Sequence, residues 1–313
     1  MNLEKSIIKN KIFDTSCLTF LKTNFFEGVK GIEVDLIDYP QNPYKEILTM
    51  SLSTWGSRIN KWEILSPEEK FKIVKYTLDR KALPLGLESP SFLFTIFGVS
   101  RSSFDQIARQ RIGCTFSSVG WNNIHSQTGI RIPREIGDNE DLVKIFKKNC
   151  HEIKDVYYML IKSGISWQSA RSILPMGLLH WFSFSINFMS LQTFCSRRLC
   201  FSEQEDTVAT AWLMKEKVKE KFPFLSKYLR PTCDYAKKCL YQQENLPQEM
   251  GALYKSCERN KCENQKYDFN LPCSDRHRIM NDLNFYIPNS NEEWPEKSYN
   301  ELSNIDKELF DAD

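Results

Sequence analysis

The chain has 313 residues, and its 42 Lys and Arg against 40 Asp and Glu leave a formal net charge of +2. This length predicts one large domain or two smaller ones with a core that needs no disulfides, and the charge balance argues against a nucleic-acid polymer as partner. The sequence shows no apolar run long enough for a bilayer, and the charged start MNLEKSIIKNKIF does not resemble a secretory signal. We therefore expect a cytoplasmic protein without membrane partners, whose cysteines are reduced.

The first half of the chain predicts two strands separated by helices. Apolar periodicity, capping residues and breakers indicate the elements. In chain order they are a half-buried strand at 32–38, a helix at 42–53, a helix starting at Ser66 with a capping box to Glu69, a buried central strand at 91–99, a helix from Ser100 to about Arg111, and a loop at 114–136.

The second half predicts further helices around one more buried strand. The expected elements are a long helix at 140–163, a short helix stopped by Pro175, a buried strand at 178–188, and helices at 190–200 and 206–220. Strands and helices mixed without regular βαβ spacing indicate an α+β fold with a mixed or antiparallel sheet. At residue 232 the composition changes to Cys, Asn, Glu and Lys, so we expect a domain at 1–231 and a Cys-rich extension at 232–313, either an appended module or a segment lying on the core.

The stretch DQIARQRIGCTF at 105–116 places several polar donors at the end of a helix. Gln106, Arg109 and Gln110 are three and four residues apart, so they would share one helix face, while Arg111 would point away. Guanidinium groups make forked contacts to phosphates and to the carbonyls of a pyrimidine. By itself the pattern is more typical of a solvated helix face, since most surface helices carry arginines.

Four blocks in the same order give this stretch a context. They are IEVDLIDYPQNPYKEILTMSLSTWGS, LESPSFLFTIFGVSR, the Arg-Gln-Arg run, and SARSILPMGLLHWFSFSINFMSLQTFCSRRLC with Ala170, Arg171, Leu174, Pro175, Asn187, Arg198 and Leu199. Together, over about residues 32–230, these blocks resemble the flavin-dependent thymidylate synthases.

The resemblance implies a homotetramer with active sites between subunits. It further implies FAD as cofactor, NADPH and methylenetetrahydrofolate as co-substrates, and methylation of dUMP to dTMP at C5. Arg198 would be the catalytic cation, because negative charge on the base carbonyls makes C5 nucleophilic. The residues that match substrate-binding positions are Gln106, Arg109, Arg171, Arg198 and, in the phosphate-binding loop, Ser118. Those that match cofactor-binding positions are Arg109, Gln110, Arg111 and Asn187.

Several positions depart from the family pattern. Gln110 and Ser89 replace histidines, and an ungapped alignment puts Cys114 on a serine and Ser117 on a glutamate. Hydroxymethylation of dUMP or dCMP therefore remains an alternative, as does a non-catalytic nucleotide-binding or interaction protein on the same fold. Arg198 could equally be a salt-bridged arginine at a helix end, and Asn187 could cap the following helix.

The extension carries a second constellation, of cysteines. Cys233, Cys239, Cys257 and Cys262 are a possible structural zinc site, with Cys273 and His277 as further ligands. The first pair is spaced more widely than in usual zinc knuckles, so five reduced cysteines without a metal are the alternative. We expect no nucleophilic cysteine, and Cys114 is the one thiol in the signature region.

Overall fold

A computed structural model describes residues 24–56, 62–80, 84–119, 129–200, 203–236 and 295–312. Its main sheet has four antiparallel strands in the order β2, β3, β6, β4. These strands are β2 (Glu33–Asp38), β3 (Ser91–Ser100), β4 (Cys114–Ser118) and β6 (Leu179–Asn187). Two short parallel strands, β1 (Asn24–Glu27) and β5 (Gly129–Ile132), form a second sheet. The α+β prediction is confirmed.

Helices cover the sheet and connect its strands. Their bounds are α1 (Pro43–Thr54), α2 (Pro67–Arg80), α3 (Pro84–Glu88), α4 (Arg101–Ile107), α5 (Arg134–Gly137), α6 (Glu140–Lys162), α7 (Trp167–Ala170), α8 (Phe188–Arg198), α9 (Glu205–Lys221), α10 (Pro223–Ser226), α11 (Thr232–Ala236) and α12 (Asn304–Asp311). Turns of 3-10 helix lie at Trp62–Ile64, Arg171–Ile173 and Tyr299–Glu301. No described helix combines the length and hydropathy needed to cross a bilayer.

Local sequence signals set the starts of two of these helices. Glu69 Oε2 accepts from Ser66 N at 2.9 Å, and Glu69 N donates to Ser66 Oγ at 3.4 Å, which is the predicted capping box. Ser100 ends β3 and caps α4, because its hydroxyl accepts from Ser103 N at 3.1 Å. The predicted central position of β3 is confirmed, since β2 and β6 flank it.

A glycine near the end of β3, Gly98, allows the two-stranded sheet and the segment before β2 to lie close to the main sheet. Gly98 has φ +85, and a Cβ on it would lie 2.2 Å from Gly31 O. The buried Arg131 of β5 donates from Nε to Gly98 O at 3.0 Å, and its guanidinium also contacts Gly28 O. No side chain could occupy position 98 without moving this backbone.

Two predictions for residues 100–136 are wrong. The helix after Ser100 ends at Ile107 rather than near Arg111, so Arg109 and Gln110 lie in a turn and do not share its face with Gln106. The predicted loop at 114–136 contains β4, β5 and α5. Strand β4 is short and polar, and it exists because its backbone pairs with β6, from Cys114 opposite Ile186 to Ser118 opposite Phe182. Such pairing depends on a distant segment that local periodicity does not reveal.

Among the described residues, the larger of two apolar clusters lies between the sheet and helices α1, α2, α8, α9 and α12. The smaller one joins α6 to the segment leading into β6, through Ile130, Cys150, Tyr157 and Leu178 among others. Leu302 and Phe310, near the C-terminus, belong to the larger cluster. The described end of the extension therefore lies on the core, while the domain boundary at residue 231 stays a prediction.

The buried His180 of β6 gives the fold a pH dependence. Burial, together with the nearby Arg101 charge, lowers the pKa of His180 from 6.5 to about 4, and its ring lies 4.3 Å from the ring of Phe104. The unfolded chain therefore takes up a proton between pH 6.5 and 4 that the native chain does not, so this group lowers stability as pH falls through that window. Between pH 7 and 5 we expect it to cost about 2 kcal/mol.

Denaturant unfolding at pH 7 and pH 5 measures this effect. The variant His180→Gln should lose about 2 kcal/mol less than the wild type on acidification, because it has no imidazole to protonate. The matched control is His151→Gln, at a half-buried position on α6. Equal losses in wild type and His180→Gln would contradict the assignment.

Candidate functional site

The turn that follows α4 holds two arginines against the start of α8. Asn187 N donates to Gly113 O at 2.9 Å, and Ser190 Oγ donates to Ile112 O at 2.7 Å. Gly113 has φ +65, and a Cβ on it would lie 2.2 Å from Ser190 Oγ, so only glycine allows this close approach. The backbone carrying Arg109 and Arg111 is thereby anchored beside the N-terminus of an eleven-residue helix.

The two arginines in this turn are exposed, and neither has an ion pair in the described part of the chain. Gln110 lies between them, half-buried, and its Nε2 donates to Ile112 O at 3.4 Å. Asn187 Oδ1 accepts from Ser190 N at 2.9 Å, so the predicted cap on α8 is confirmed. Two exposed guanidinium groups without ion pairs among the described residues, on a backbone anchored beside a helix N-terminus, are suited to phosphates.

Arg198, the last residue of α8, meets Gln106 of α4. Its guanidinium donates to Gln106 O at 2.6 Å, and a second nitrogen forms an ion pair with Glu203. The Arg198 and Glu203 side chains are only 12% and 19% exposed. Arg198 is therefore the salt-bridged helix-end arginine that the sequence allowed, and it is also joined to a second predicted site residue.

A polar network extends from Gln106 into the first turn of α9. Gln106 Nε2 donates to Gln204 Oε1 at 3.4 Å, and Thr207 Oγ1 donates to Gln106 Oε1 at 3.3 Å. Gln204 Nε2 also donates to Ser102 Oγ at 2.9 Å, which connects the first turns of α4 and α9. Sequence reasoning missed Glu203, Gln204 and Thr207, whose only local signal is a polar helix start.

A cavity of about 200 Å³ lies beside this network. Gln204 belongs to the network and also lines the cavity. Its other polar walls include Ser100, Arg131 and Asp206. Asp206 Oδ2 accepts from Ser100 N at 2.9 Å and from Ser100 Oγ at 2.6 Å, while its buried Oδ1 has no hydrogen-bond partner among the described residues. Burial raises the pKa of the adjacent Glu205, whose carboxylate accepts from Arg134 N at 2.9 Å.

Two further predicted residues lie on other elements. Arg171 begins the 3-10 turn after α7, and its guanidinium lies 5.5 Å from the centre of the Trp167 ring, beside the smaller apolar cluster. Ser118 is exposed at the end of the edge strand β4. The hydrogen bonds described above join Gln106 to Arg198 and Asn187 to the arginine turn, and neither set includes Arg171 or Ser118.

The thiol of Cys114 is not activated. Burial raises its pKa, and its Sγ donates to Gln110 O at 3.2 Å, so it is protonated at neutral pH. Among the described residues no cluster of His, Cys, Asp or Glu could hold a metal ion. The predicted zinc ligands Cys239, Cys257 and Cys262 lie outside the described residues, as does the side chain of Cys233.

Comparison with known proteins places this geometry in a family. The model of the thymidylate synthase complementing protein family matches residues 35–224, which include both arginine blocks. The chain belongs to this family. The matched range agrees with the resemblance over about 32–230 inferred from the motifs.

Relatives in the family are more than a quarter identical to this chain over the residues that align. The flavin-dependent thymidylate synthase of Pyrococcus abyssi is 29% identical over 218 residues, covering 66% of this chain and 84% of that protein. The enzyme of Pyrococcus horikoshii is 29% identical over 254 residues, covering 75% of this chain and all (100%) of that protein. This member of the family is thus homologous to flavin-dependent thymidylate synthases.

A solved structure supports the fold. The UMP/dUMP methylase PolB from Streptomyces cacaoi, bound with 5-Br dUMP, superposes with a TM-score of 0.57 at 16% identity. The match covers 66% of this chain and 96% of PolB. At that identity the similarity establishes a shared fold.

Proposed function

We propose that this protein binds a pyrimidine deoxynucleotide and FAD and transfers a one-carbon unit to C5 of the base, with methylation of dUMP to dTMP as its reaction. The observation that carries the proposal is the contact between Arg198 and Gln106, which are 92 positions apart and were assigned to the site from separate motif blocks. Methylenetetrahydrofolate would provide the one-carbon unit and NADPH the hydride, as in the relatives that the motifs resemble.

Arg198 is suited to stabilise the charge that this reaction develops. C5 of a uracil attacks a one-carbon donor only as negative charge accumulates on the base carbonyls, and a fixed cation lowers the energy of that state. The ion pair with Glu203 orients the guanidinium, and its low exposure keeps the interaction from being screened by water. The bound base would approach the Arg198 edge that Glu203 and Gln106 leave accessible.

Gln106 is suited to recognise the edge of the base. Its side-chain amide offers a donor and an acceptor, and its contacts to Gln204 and Thr207, at 3.4 and 3.3 Å, are long. A uracil carbonyl and imide N–H could replace these contacts at little cost. Arg109, Arg171 and Ser118 would bind the nucleotide phosphate, and a homotetramer with active sites between subunits would bring them together.

The residues of the arginine turn fit the phosphates of FAD. Arg109 and Arg111 are exposed without ion pairs in the described chain, and the Gly113–Asn187 contact fixes their backbone beside the start of α8. Gln110 and Asn187 complete the proposed cofactor-binding set. When bound, FAD would relay a hydride from NADPH.

A second candidate is nucleotide binding without catalysis. Two observations favour it: Gln110 occupies a position where the family pattern has histidine, and Glu203 already neutralises the Arg198 charge.

The test uses the full chain reconstituted with FAD, NADPH and methylenetetrahydrofolate. We expect visible flavin absorbance that remains with the protein after gel filtration, and release of tritium from dUMP labelled at C5. The same assay with labelled dCMP, and the mass of the product, distinguish the base and a methyl from a hydroxymethyl group. Flavin and nucleotide binding without tritium release would contradict one-carbon transfer and favour the second candidate.

A further inference from the structure

Two buried residues start a chain of hydrogen bonds that leads to the side chain of Gln106. Asp206 and Ser100 are 0% and 2% exposed. Asp206 Oδ2 accepts from Ser100 N at 2.9 Å and from Ser100 Oγ at 2.6 Å. A carboxylate oxygen only accepts, so the hydroxyl proton of Ser100 points at Asp206. Towards its other neighbours, Ser100 Oγ is therefore an acceptor.

Gln204 passes this direction on to Gln106. Its Nε2 donates to Ser100 Oγ at 3.2 Å and to Ser102 Oγ at 2.9 Å, so its Oε1 faces the other way. Gln204 Oε1 accepts from Gln106 Nε2 at 3.4 Å. Gln106 Oε1 in turn accepts from Thr207 Oγ1 at 3.3 Å. Both ends of the Gln106 amide thus have a partner of the matching kind.

The same network would be complete in the opposite direction if Asp206 were absent. The two ends of a carboxamide have almost the same shape, so hydrogen bonds decide which way round it lies. A Ser100 hydroxyl released from Asp206 could donate to Gln204 and turn both amides over. At the far end, Thr207 Oγ1 lies 2.6 Å from Ser103 Oγ, and either atom can be the donor. The Asp206 carboxylate is therefore what fixes the direction of the network.

The orientation of this amide matters because uracil and cytosine present opposite patterns at their edges. Uracil has an N–H at N3 and a carbonyl at C4, whereas cytosine has a bare nitrogen and an amino group there. An amide that pairs with uracil must place its oxygen at N3, and one that pairs with cytosine must place its nitrogen there. A base that meets Gln106, whether it adds to the present contacts or replaces them, finds the N–H on the Gln204 side and the oxygen on the Thr207 side.

We propose that Asp206 is a positioning residue that holds the Gln106 amide in the orientation for uracil, so that the site selects dUMP over dCMP. The proposal rests on the role of Gln106 at the edge of the base under the proposed function. Asp206 acts through Ser100 and Gln204 and does not itself touch the nucleotide. Its effect is on the ratio of two affinities, because a turned amide loses one base and gains the other.

The dissociation constants of dUMP and dCMP for the full chain in the presence of FAD test this role. Their ratio is insensitive to partial unfolding, since both nucleotides bind the same folded molecules. Asp206→Ala should reduce the preference for dUMP at least about tenfold, because Ser100 can then donate in either direction. Asp206→Asn is the matched control and should keep the preference within about threefold. Its amide nitrogen takes the place of Oδ1, which has no partner among the described residues, and its oxygen stays toward Ser100.

A second pair of variants reverses the network instead of releasing it. Gln204→Lys offers only donors, so Gln106 should turn its oxygen toward the lysine, and the preference should move toward dCMP at least about tenfold. Gln204→Glu offers only acceptors, which keeps the Gln106 amide as it is, so dUMP should remain preferred. Position 204 is half-buried and lies beside Glu205 and Asp206, so a lysine there meets opposite charge.

The outcomes separate this role from the proposed function. An unchanged ratio in either Asp206→Ala or Gln204→Lys, a control variant that loses the preference, or a wild type without preference for dUMP would overturn the proposal while nucleotide binding stands. Binding of neither nucleotide by the wild type would overturn the proposed function itself, and the role of Asp206 with it.

Discussion

Replacing Arg198 by alanine is expected to lower the rate of C5 transfer by about a hundredfold to a thousandfold. The guanidinium is the cation proposed to stabilise charge on the base carbonyls, and removal of one such group typically has an effect of this size. Tritium release from dUMP labelled at C5 measures the rate, and nucleotide affinity is measured in parallel. Arg198→Lys should recover part of the rate, since it restores the charge but not the forked geometry.

Arg197 provides the matched control for this variant. It is the adjacent residue on α8 and is exposed, so Arg197→Ala should leave rate and affinity within about twofold. Because Arg198→Ala leaves the Glu203 carboxylate without its ion-pair partner, the double variant R198A/E203Q separates lost catalysis from local destabilisation. Arg198→Ala with wild-type rate and affinity would refute the proposed site.

Replacing Phe310 by alanine is expected to lower the free energy of unfolding by about 3–5 kcal/mol. The Phe310 ring is fully buried, stacks on Tyr44 at 4.5 Å and meets the ring of Phe71 edge-on at 5.9 Å. Truncation would leave a cavity in the larger apolar cluster. We expect this loss of stability even though α12 lies outside residues 35–224, the range that the family model matches. Denaturant unfolding of the full chain measures the loss.

The polar contacts around α12 hold Phe310 in place. Asp306 accepts from Tyr44 Oη at 2.5 Å and from Phe224 N at 3.0 Å, and Lys70 Nζ donates to Phe310 O at 2.9 Å. The matched control is Ile305→Ala on the same helix, at an exposed position, which should change stability by less than about 0.5 kcal/mol. A loss below about 1 kcal/mol for Phe310→Ala would show that the segment contributes little to the fold.

Several parts of the site could be predicted from sequence because their causes are local. The serine before α4 and the asparagine before α8 each cap the helix that follows, so Ser100 and Asn187 signalled these helix starts directly. The apolar run of β3 predicted a central strand, since only a strand flanked on both sides buries such a run. Arg198 and Gln106 were assigned to one site because their motif blocks follow a known order.

Other parts depend on segments far apart in the chain. The turn at Arg109 could not be distinguished from a longer helix, because the contacts that hold Ile112 and Gly113 at the start of α8 come from a distant segment. Strand β4 needed β6 as a partner, and the contact between Arg198 and Gln106 needed the end of α8 to lie beside α4. None of these interactions leaves a periodic signal in its own segment.

By itself, the sequence determined the helix starts and the buried strands, because capping and periodicity depend on neighbouring residues. It also determined the family of this protein, because the order of the motifs can be seen in the sequence. Only the tertiary structure decided that the arginine turn lies against α8, that Arg198 contacts Gln106 across 92 positions, and that α12 returns to the core at Tyr44 across 262 positions. Those contacts form where separate elements bury surface together, and burial against a distant partner is a property of the whole fold.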